Sequence, residues 1–328
     1  MYPEVQEHTR TASPMEQIEL HRHLDVSLRM ETLLELAQER GLEAQSTSVE
    51  NFRERFLLRR PLRDLGEVLG QFVLFQQVLD RPDVLERVAY EVAEDCYREG
   101  TRAVELRFSP GFVCHLSGLS WEDALQAFER GLRRASEKHP ALRAGLICIG
   151  SRDFGMESIE KTIEFYLKER SRFVGIDLAG DEALYPNEKY ARLFKPLQAA
   201  GARITVHAGE GSGPDSVWAA LEWLGATRIG HGIRAIEDPK LMDHLRDRKI
   251  CLEQCPTSNY ITSCVPSLEA HPLPRFLRHG IPVCINTDDP GIFGADLPHE
   301  IAVCRTKMGL TDSEIQLTFE HAHQATFL

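Results

Sequence analysis

Histidine, aspartate and glutamate recur at positions where short apolar runs of the chain end. His21 and His23 stand two apart in IELHRH, His207 closes RITVH, and the acidic pair Asp288 and Asp289 follows IPVCINT. Side chains two apart on a strand project to the same side, so the first two imidazoles can reach one ion. With His207 and Asp288 they offer three nitrogens and a carboxylate oxygen, a set that suits zinc or a similar transition metal better than magnesium or calcium. Glu210 lies three residues past His207 in VHAGE, in reach of water on such an ion and on a turn that need not ligate it. His231 ends a further run as GHG and adds a group able to orient or stabilise a hydroxide. Metal-activated water, a proton-shuttling carboxylate and a histidine beside it are the parts of a hydrolysis. Taken singly, each histidine reads as a hydrogen-bonded core or surface residue and Glu210 as a carboxylate at a helix N-terminus. The chemistry rests on the joint pattern.

Residues so distant in the chain share one ion only if the elements carrying them converge. Short apolar, β-branched runs alternate with longer amphipathic stretches, the pattern of βα units in a parallel sheet. Eight such runs stand at 18–23, 103–108, 144–149, 173–178, 203–207, 227–231, 250–254 and 281–287. Eight parallel strands close an α/β, TIM-type (β/α)8 barrel, and the C-terminal ends of all eight meet at one mouth. Between the runs, 82–99 reads as a helix opened by Pro82 and Asp83 and closed by Gly100, and 121–138 as one with Ser120 at its N-cap. About 80 residues separate the first two runs and carry helical patterns at 28–40, 49–57 and 65–78. That insertion predicts either a lid over the mouth or plain packing. No internal repeat or linker divides the chain, so one domain over 1–328 is expected.

The composition fits such a protein. A chain of 328 residues with 42% hydrophobic and 27% charged residues is neither disordered nor fibrous. Lys plus Arg total 38 against 50 Asp plus Glu, a net charge of -12, which argues against binding nucleic acid or anionic lipid and for a neutral or small substrate. No apolar stretch of signal-peptide length opens the chain and no run approaches the ~20 residues of a membrane span, so a cytoplasmic protein is expected. The eight cysteines form no C-x-x-C pair and read as reduced core thiols. His321 and His323 repeat the H-x-H spacing on a helical pattern, where residues two apart point about 200° apart, and read as surface. The loop 209–213 (GEGSG) has the makings of a phosphate cradle, but Glu210 inside it would repel the phosphate. The H-x-E with P-C-x-x-C signature of cytidine-type zinc deaminases is absent, as is H-E-x-x-H.

In order along the chain stand ELHRHLD, RFSP, DLAGDE, VHAGE, RIGHG, CPTSN and NTDDP. The series resembles the adenosine deaminase family of metal-dependent (β/α)8 barrels over nearly the whole chain. The resemblance implies that His21, His23, His207 and Asp288 ligate one Zn2+, whose hydroxide attacks C6 of a purine nucleoside. It implies that Glu210 protonates N1 and that His231 holds the hydroxide. Asp289 would hydrogen-bond N7 and help orient the attacking oxygen, and the Gly180 backbone would approach N3, where a side chain leaves no room. Adenosine, and with it 2′-deoxyadenosine, would lose ammonia, adenosine giving inosine.

His23 and Asp25 complete the implied substrate contacts. In the adenosine-specific branch an aspartate in H-x-H-L-D accepts a hydrogen bond from the ribose 5′-hydroxyl, where adenine and aminofutalosine deaminases carry glutamate. The charge of Asp25 also disfavours a 5′-phosphate. This chain departs from the family pattern at Val26, where glycine is usual, and a branched side chain there is expected to shift the backbone or narrow the pocket. It also stops at Leu328, close to where family members continue with another helical stretch, which predicts a less covered C-terminal edge. The competing readings are a deaminase of another 6-aminopurine, such as adenine or an N6-modified nucleoside, and a purine-binding protein that keeps barrel and metal only for structure.

Overall fold

The computed structural model describes residues 16–62 and 66–328. The chain before residue 16, and Leu65 at the start of the third predicted helical pattern, lie outside the described residues. Each of the eight apolar runs forms a strand: β1 (Gln17–His23), β2 (Thr101–Phe108), β3 (Arg143–Ser151), β4 (Gly175–Ala179), β5 (Ile204–Ala208), β6 (Arg228–His231), β7 (Cys251–Gln254) and β8 (Val283–Ile285). They form one sheet in chain order, every neighbour parallel to the next. Between β8 and β1 the ring closes where Arg22 bridges Asp288, with His23 N–H donating to Asp288 O (2.8 Å) and Asp288 N–H to His21 O (3.0 Å). The fold is therefore the (β/α)8 barrel that the run count predicts, and its seam lies among the residues of the metal pattern.

β8 ends at Ile285, two residues short of the predicted run, because side chains replace the ladder beyond it. Leu20 N–H donates to Asn286 Oδ1 (2.8 Å), and Thr287 N–H to Glu19 Oε1 (2.9 Å). β1 is irregular at the same level. From Glu19 to Arg22 it advances three residues while β2 advances two, from Val104 to Leu106. The extra residue falls in the interval of Leu20 and His21, the kind of place where a bulge re-aims side chains beside a site.

The stretch between β1 and β2 contains α1 (Met30–Glu39), α2 (Val49–Phe56) and α3 (Gly66–Val78), followed by α4 (Pro82–Arg98). Pro82 in the first turn costs α4 nothing, since a first-turn N–H has no helical partner. The helix Trp121–Lys138 begins at Ser120, whose hydroxyl accepts from Asp123 N–H (3.0 Å) as the N-cap reading requires. It crosses α4 at Gly131, where a Cβ would lie 2.2 Å from Glu86 O, so only glycine allows the approach.

Apolar side chains between the strands and the outer helices form the main core, and a smaller cluster of Ile18, Leu20, Ala103, Cys251 and Cys284 packs with Ala322 of the helix Asp312–Ala325. The last residues of the chain pack on the barrel. Phe327 is buried against Gly175, Leu328 packs on Gly145, and the Arg228 guanidinium lies 3.6 Å from the centre of the Phe327 ring. His321 is likewise not a surface residue: it is half-buried with Nδ1 3.2 Å from Val283 N–H, while His323 is exposed. All eight cysteines are free, and six are buried, but Cys114 and Cys264 are only half-buried. Among the described residues no helix is long and apolar enough to cross a membrane.

Candidate active site

β1, β5 and β8 carry four donor groups to one end of the barrel. Ligand-type atoms of His21, His23, His207 and Asp288 all lie within 4.8 Å of one another. One Asp288 oxygen is 3.1 Å from His21 Nε2 and 3.3 Å from His23 Nε2. His21 Nε2 is buried without a hydrogen-bond partner, an orphan of the kind a cation would satisfy. Three imidazoles and one carboxylate fit zinc. The second H-x-H pair, His321 and His323, takes no part in the cluster.

Two of the imidazoles are oriented from behind. Glu253 Oε2 lies 2.8 Å from His21 Nδ1 and Asp177 Oδ2 lies 3.0 Å from His207 Nδ1, which leaves each Nε2 facing the cluster. Arg107 joins the two carboxylates, at 2.8 Å from each, and Arg228 holds Glu253 from the other side at 2.7 Å. Burial lowers His207 to about 3, so its ring is neutral and free to ligate. Burial also penalises a charged His23, yet Asp289 and Asp288 raise it to about 9. Asp288 and Asp289 separate in the manner of adjacent carboxyl groups. Against burial, His21 and its neighbours hold Asp288 well below the ordinary range, whereas burial and the Asp288 charge push Asp289 well above it.

A cavity of about 1230 Å³ opens over the cluster, and of the residues singled out in the sequence all but His21 line it. Glu210 Oε2 and Asp288 Oδ2 lie 3.5 Å and 3.9 Å from His231 Nε2. Asp289 Oδ1 is buried without a partner. Burial raises both Glu210 and Asp25, the latter to about 6, and Asp25 Oδ2 accepts from Ser109 N–H (3.0 Å). Gly180 adopts φ +95°, and a Cβ there would lie 2.3 Å from the Asp153 carboxylate, so glycine is required even before a ligand is considered. Val26 is buried in the short 3-10 turn Leu24–Val26 and forms part of the cavity wall. Phe72, Val73 and Gln76 of α3 line the cavity too, so the long insertion contributes to its wall.

Residues 16–328 match the family model described as adenosine deaminase. The chain belongs to the adenosine deaminase family. An adenosine deaminase of Vibrio cholerae serotype O1 is 40% identical over 310 residues, which is 94% of this chain and 92% of that protein. Adenine deaminase from Arthrobacter aurescens superposes with a TM-score of 0.87 at 27% identity, over 96% of this chain and 94% of that one. An amidohydrolase from Burkholderia ambifaria, solved with bound Zn, gives 0.86 at 25% identity over 96% and 86%. As a member of the adenosine deaminase family the protein is a hydrolytic deaminase.

Several residues that build this candidate site have no role assigned by the motif spacing. Asp177, Glu253, Arg107 and Arg228 had a signal: each is a charged residue within or beside an otherwise apolar strand run. Glu182 had none. Its carboxylate accepts from the N–H groups of Gly209 (2.9 Å), Glu210 (2.6 Å) and Ser212 (2.9 Å) and from the Ser216 hydroxyl (2.5 Å). The 209–213 loop is thus an anion cradle whose anion is the protein's own, a stronger reason against phosphate than Glu210 alone. Thr262 Oγ1 and Cys264 Sγ lie 3.3 Å and 3.6 Å from Glu210 Oε1 and hold the far side of that carboxyl group.

Proposed function

We propose that the protein converts adenosine, and 2′-deoxyadenosine with it, to the 6-oxo nucleoside and ammonia, with zinc as its metal. The observation that carries the reading is the convergence of the four-donor cluster, Glu210, Asp289 and Asp25 on one cavity. His21, His23, His207 and Asp288 would hold the ion, and the bound zinc in the Burkholderia ambifaria amidohydrolase supports that identity. Such an ion lowers the pKa of water and supplies a nucleophile near neutral pH.

The remaining work falls to side chains. Glu210, whose burial favours the protonated form, would donate to purine N1 and withdraw electron density from C6. His231 orients the oxygen that adds to C6. Asp289, which burial and the Asp288 charge push toward the protonated form, would donate to N7 through a carboxyl group whose Oδ1 has no partner within the protein. The Gly180 backbone and His23 border the ring. Loss of ammonia from C6 completes the exchange of nitrogen for oxygen.

Substrate choice turns on Asp25. It would accept a hydrogen bond from the ribose 5′-hydroxyl, and as a carboxylate it repels a 5′-phosphate, which favours the nucleoside over its monophosphate. The cavity exceeds the ~300–1,000 Å³ usual for a small-ligand site, which suits a nucleoside better than a bare base. The Vibrio cholerae relative carries the name adenosine deaminase, while the Arthrobacter aurescens neighbour favours adenine as the second reading. Incubation of zinc-assayed protein with adenosine, 2′-deoxyadenosine, adenine and AMP, followed by the ultraviolet change of deamination, separates the two. The expected order of kcat/KM places adenosine and deoxyadenosine first. A higher value for adenine would replace this reading with the second.

A further inference from the structure

Behind His231 the hydrogen bonds run in one direction only, and a backbone amide sets that direction. Asn259, in CPTSN, belongs to the helix Pro256–Ile261, and His271 stands just before the helix Leu273–Arg278. Leu273 N–H lies 3.1 Å from His271 Nδ1. A backbone N–H can only donate, so Nδ1 is bare and the proton of the neutral ring is on Nε2. That Nε2 is 3.2 Å from Asn259 Oδ1. Of the two ends of an amide only the oxygen accepts, which turns the Asn259 Nδ2 group toward His231 Nδ1, 3.0 Å away. Nδ2 brings protons alone, so His231 Nδ1 must be bare in turn. The proton of neutral His231 therefore sits on Nε2, on the side of Glu210 and Asp288.

We propose that Asn259 and His271 are positioning residues which lock His231 as a hydrogen-bond donor to the attacking oxygen rather than a base that takes its proton. The consequence for catalysis rests on the deamination proposed above; the hydrogen-bond direction itself does not. For His231 to receive a proton on Nε2, Nδ1 would have to hold the other, facing the Asn259 amide N–H. Turning that amide over would set its protons against His271 Nε2–H, and moving the His271 proton to Nδ1 would set it against Leu273 N–H. Asn259 is 0% exposed, His231 1% and His271 3%, so no arrangement escapes two facing donors by reaching solvent. Burial also lowers His271 to about 3, in keeping with a ring that stays neutral.

The test uses full-length protein labelled with 15N-histidine, both chelator-treated and zinc-loaded. Long-range proton–nitrogen correlation spectra are assigned through the signals lost in His231→Gln and His271→Gln. Both rings are expected to carry a proton on Nε2 and none on Nδ1. In Asn259→Asp the carboxylate accepts where the amide donated, so the His231 proton moves to Nδ1. The expected cost is a fall of about 10²-fold in kcat for adenosine with KM and zinc content little changed, the scale of losing one positioned donor. A His231 ring that carries its proton on Nδ1 in the parent protein overturns the proposal, as does an Asn259→Asp variant with parental kcat. The parent spectrum decides even if the variant does not fold. Correct tautomers together with no turnover of adenosine would defeat the substrate assignment and leave the relay standing.

Discussion

Asp288 and His231 hold backbone φ values of +64° and +59°, a region few non-glycine residues occupy, although Asp and His enter it more readily than most. Strain of this kind costs about 1–3 kcal/mol and survives only where the surroundings impose it. At Asp288 the constraint is visible, since its N–H and C=O are both tied to β1, and the bend aims its carboxylate at the imidazoles. Side chains so placed make distinct predictions. Glu210→Gln keeps the shape of the residue but not a proton that can be passed on. It is expected to retain zinc while kcat on adenosine falls by about 10²–10⁴-fold, and a variant as fast as the parent would remove Glu210 from the chemistry. His207→Ala instead removes a donor, so metal analysis is expected to find well under one zinc per chain; a full complement would contradict the ligand set.

At the scale of elements, carboxylates tie loops to their neighbours. Glu182 gathers the turn after β5, and Glu300, in the helix Leu297–Thr306, accepts from Thr257 N–H (3.2 Å) in the segment after β7. Glu300 is 0% exposed, and burial pushes it up to about 8. The folded protein therefore keeps a proton there that the unfolded chain releases near the ordinary carboxyl value of 4.5. This contribution to stability is complete below that value and is lost as pH rises toward 8, with a slope of about 1.4 kcal/mol per pH unit for one group. Glu300→Gln, which cannot ionise, should lose less stability than the parent between these limits. Denaturant melts at several pH values, at constant metal content, provide the measurement; identical pH profiles would show that Glu300 does not titrate as its burial implies.

At the scale of the molecule, a charged belt crosses the barrel beneath the metal-type cluster. Arg107 on β2 links Asp177 on β4 to Glu253 on β7, and Arg228 on β6 joins Glu253 to Glu105 on β2. All five side chains are buried. Removing one partner of a buried ionic group costs about 3–5 kcal/mol because the remaining charges lose compensation. Arg107→Met, similar in length and uncharged, is accordingly expected to lower the melting temperature by several degrees. It should also weaken zinc affinity by about 10–100-fold, since Asp177 and Glu253 orient His207 and His21. Calorimetry and zinc titration check both parts, and a stable variant with parental affinity would separate the belt from the site.

The linear chain determined a great deal here. Eight apolar runs in order specified the barrel, because side-chain periodicity reports which faces are buried, and the convergence of the candidate site residues was legible because they fall at or just past the ends of those runs. The tertiary structure decided what spacing cannot express. Asn259 and His271 are twelve residues apart, Glu182 reaches the loop of Glu210 across 28 positions, and Glu253 meets His21 across 232. None of these pairings has a local signature, since hydrogen-bond direction and buried charge balance depend on which groups face one another after the ring has closed. The surface reading of His321 failed for the same reason: it depended on Val283, which is distant in the chain and adjacent in the barrel.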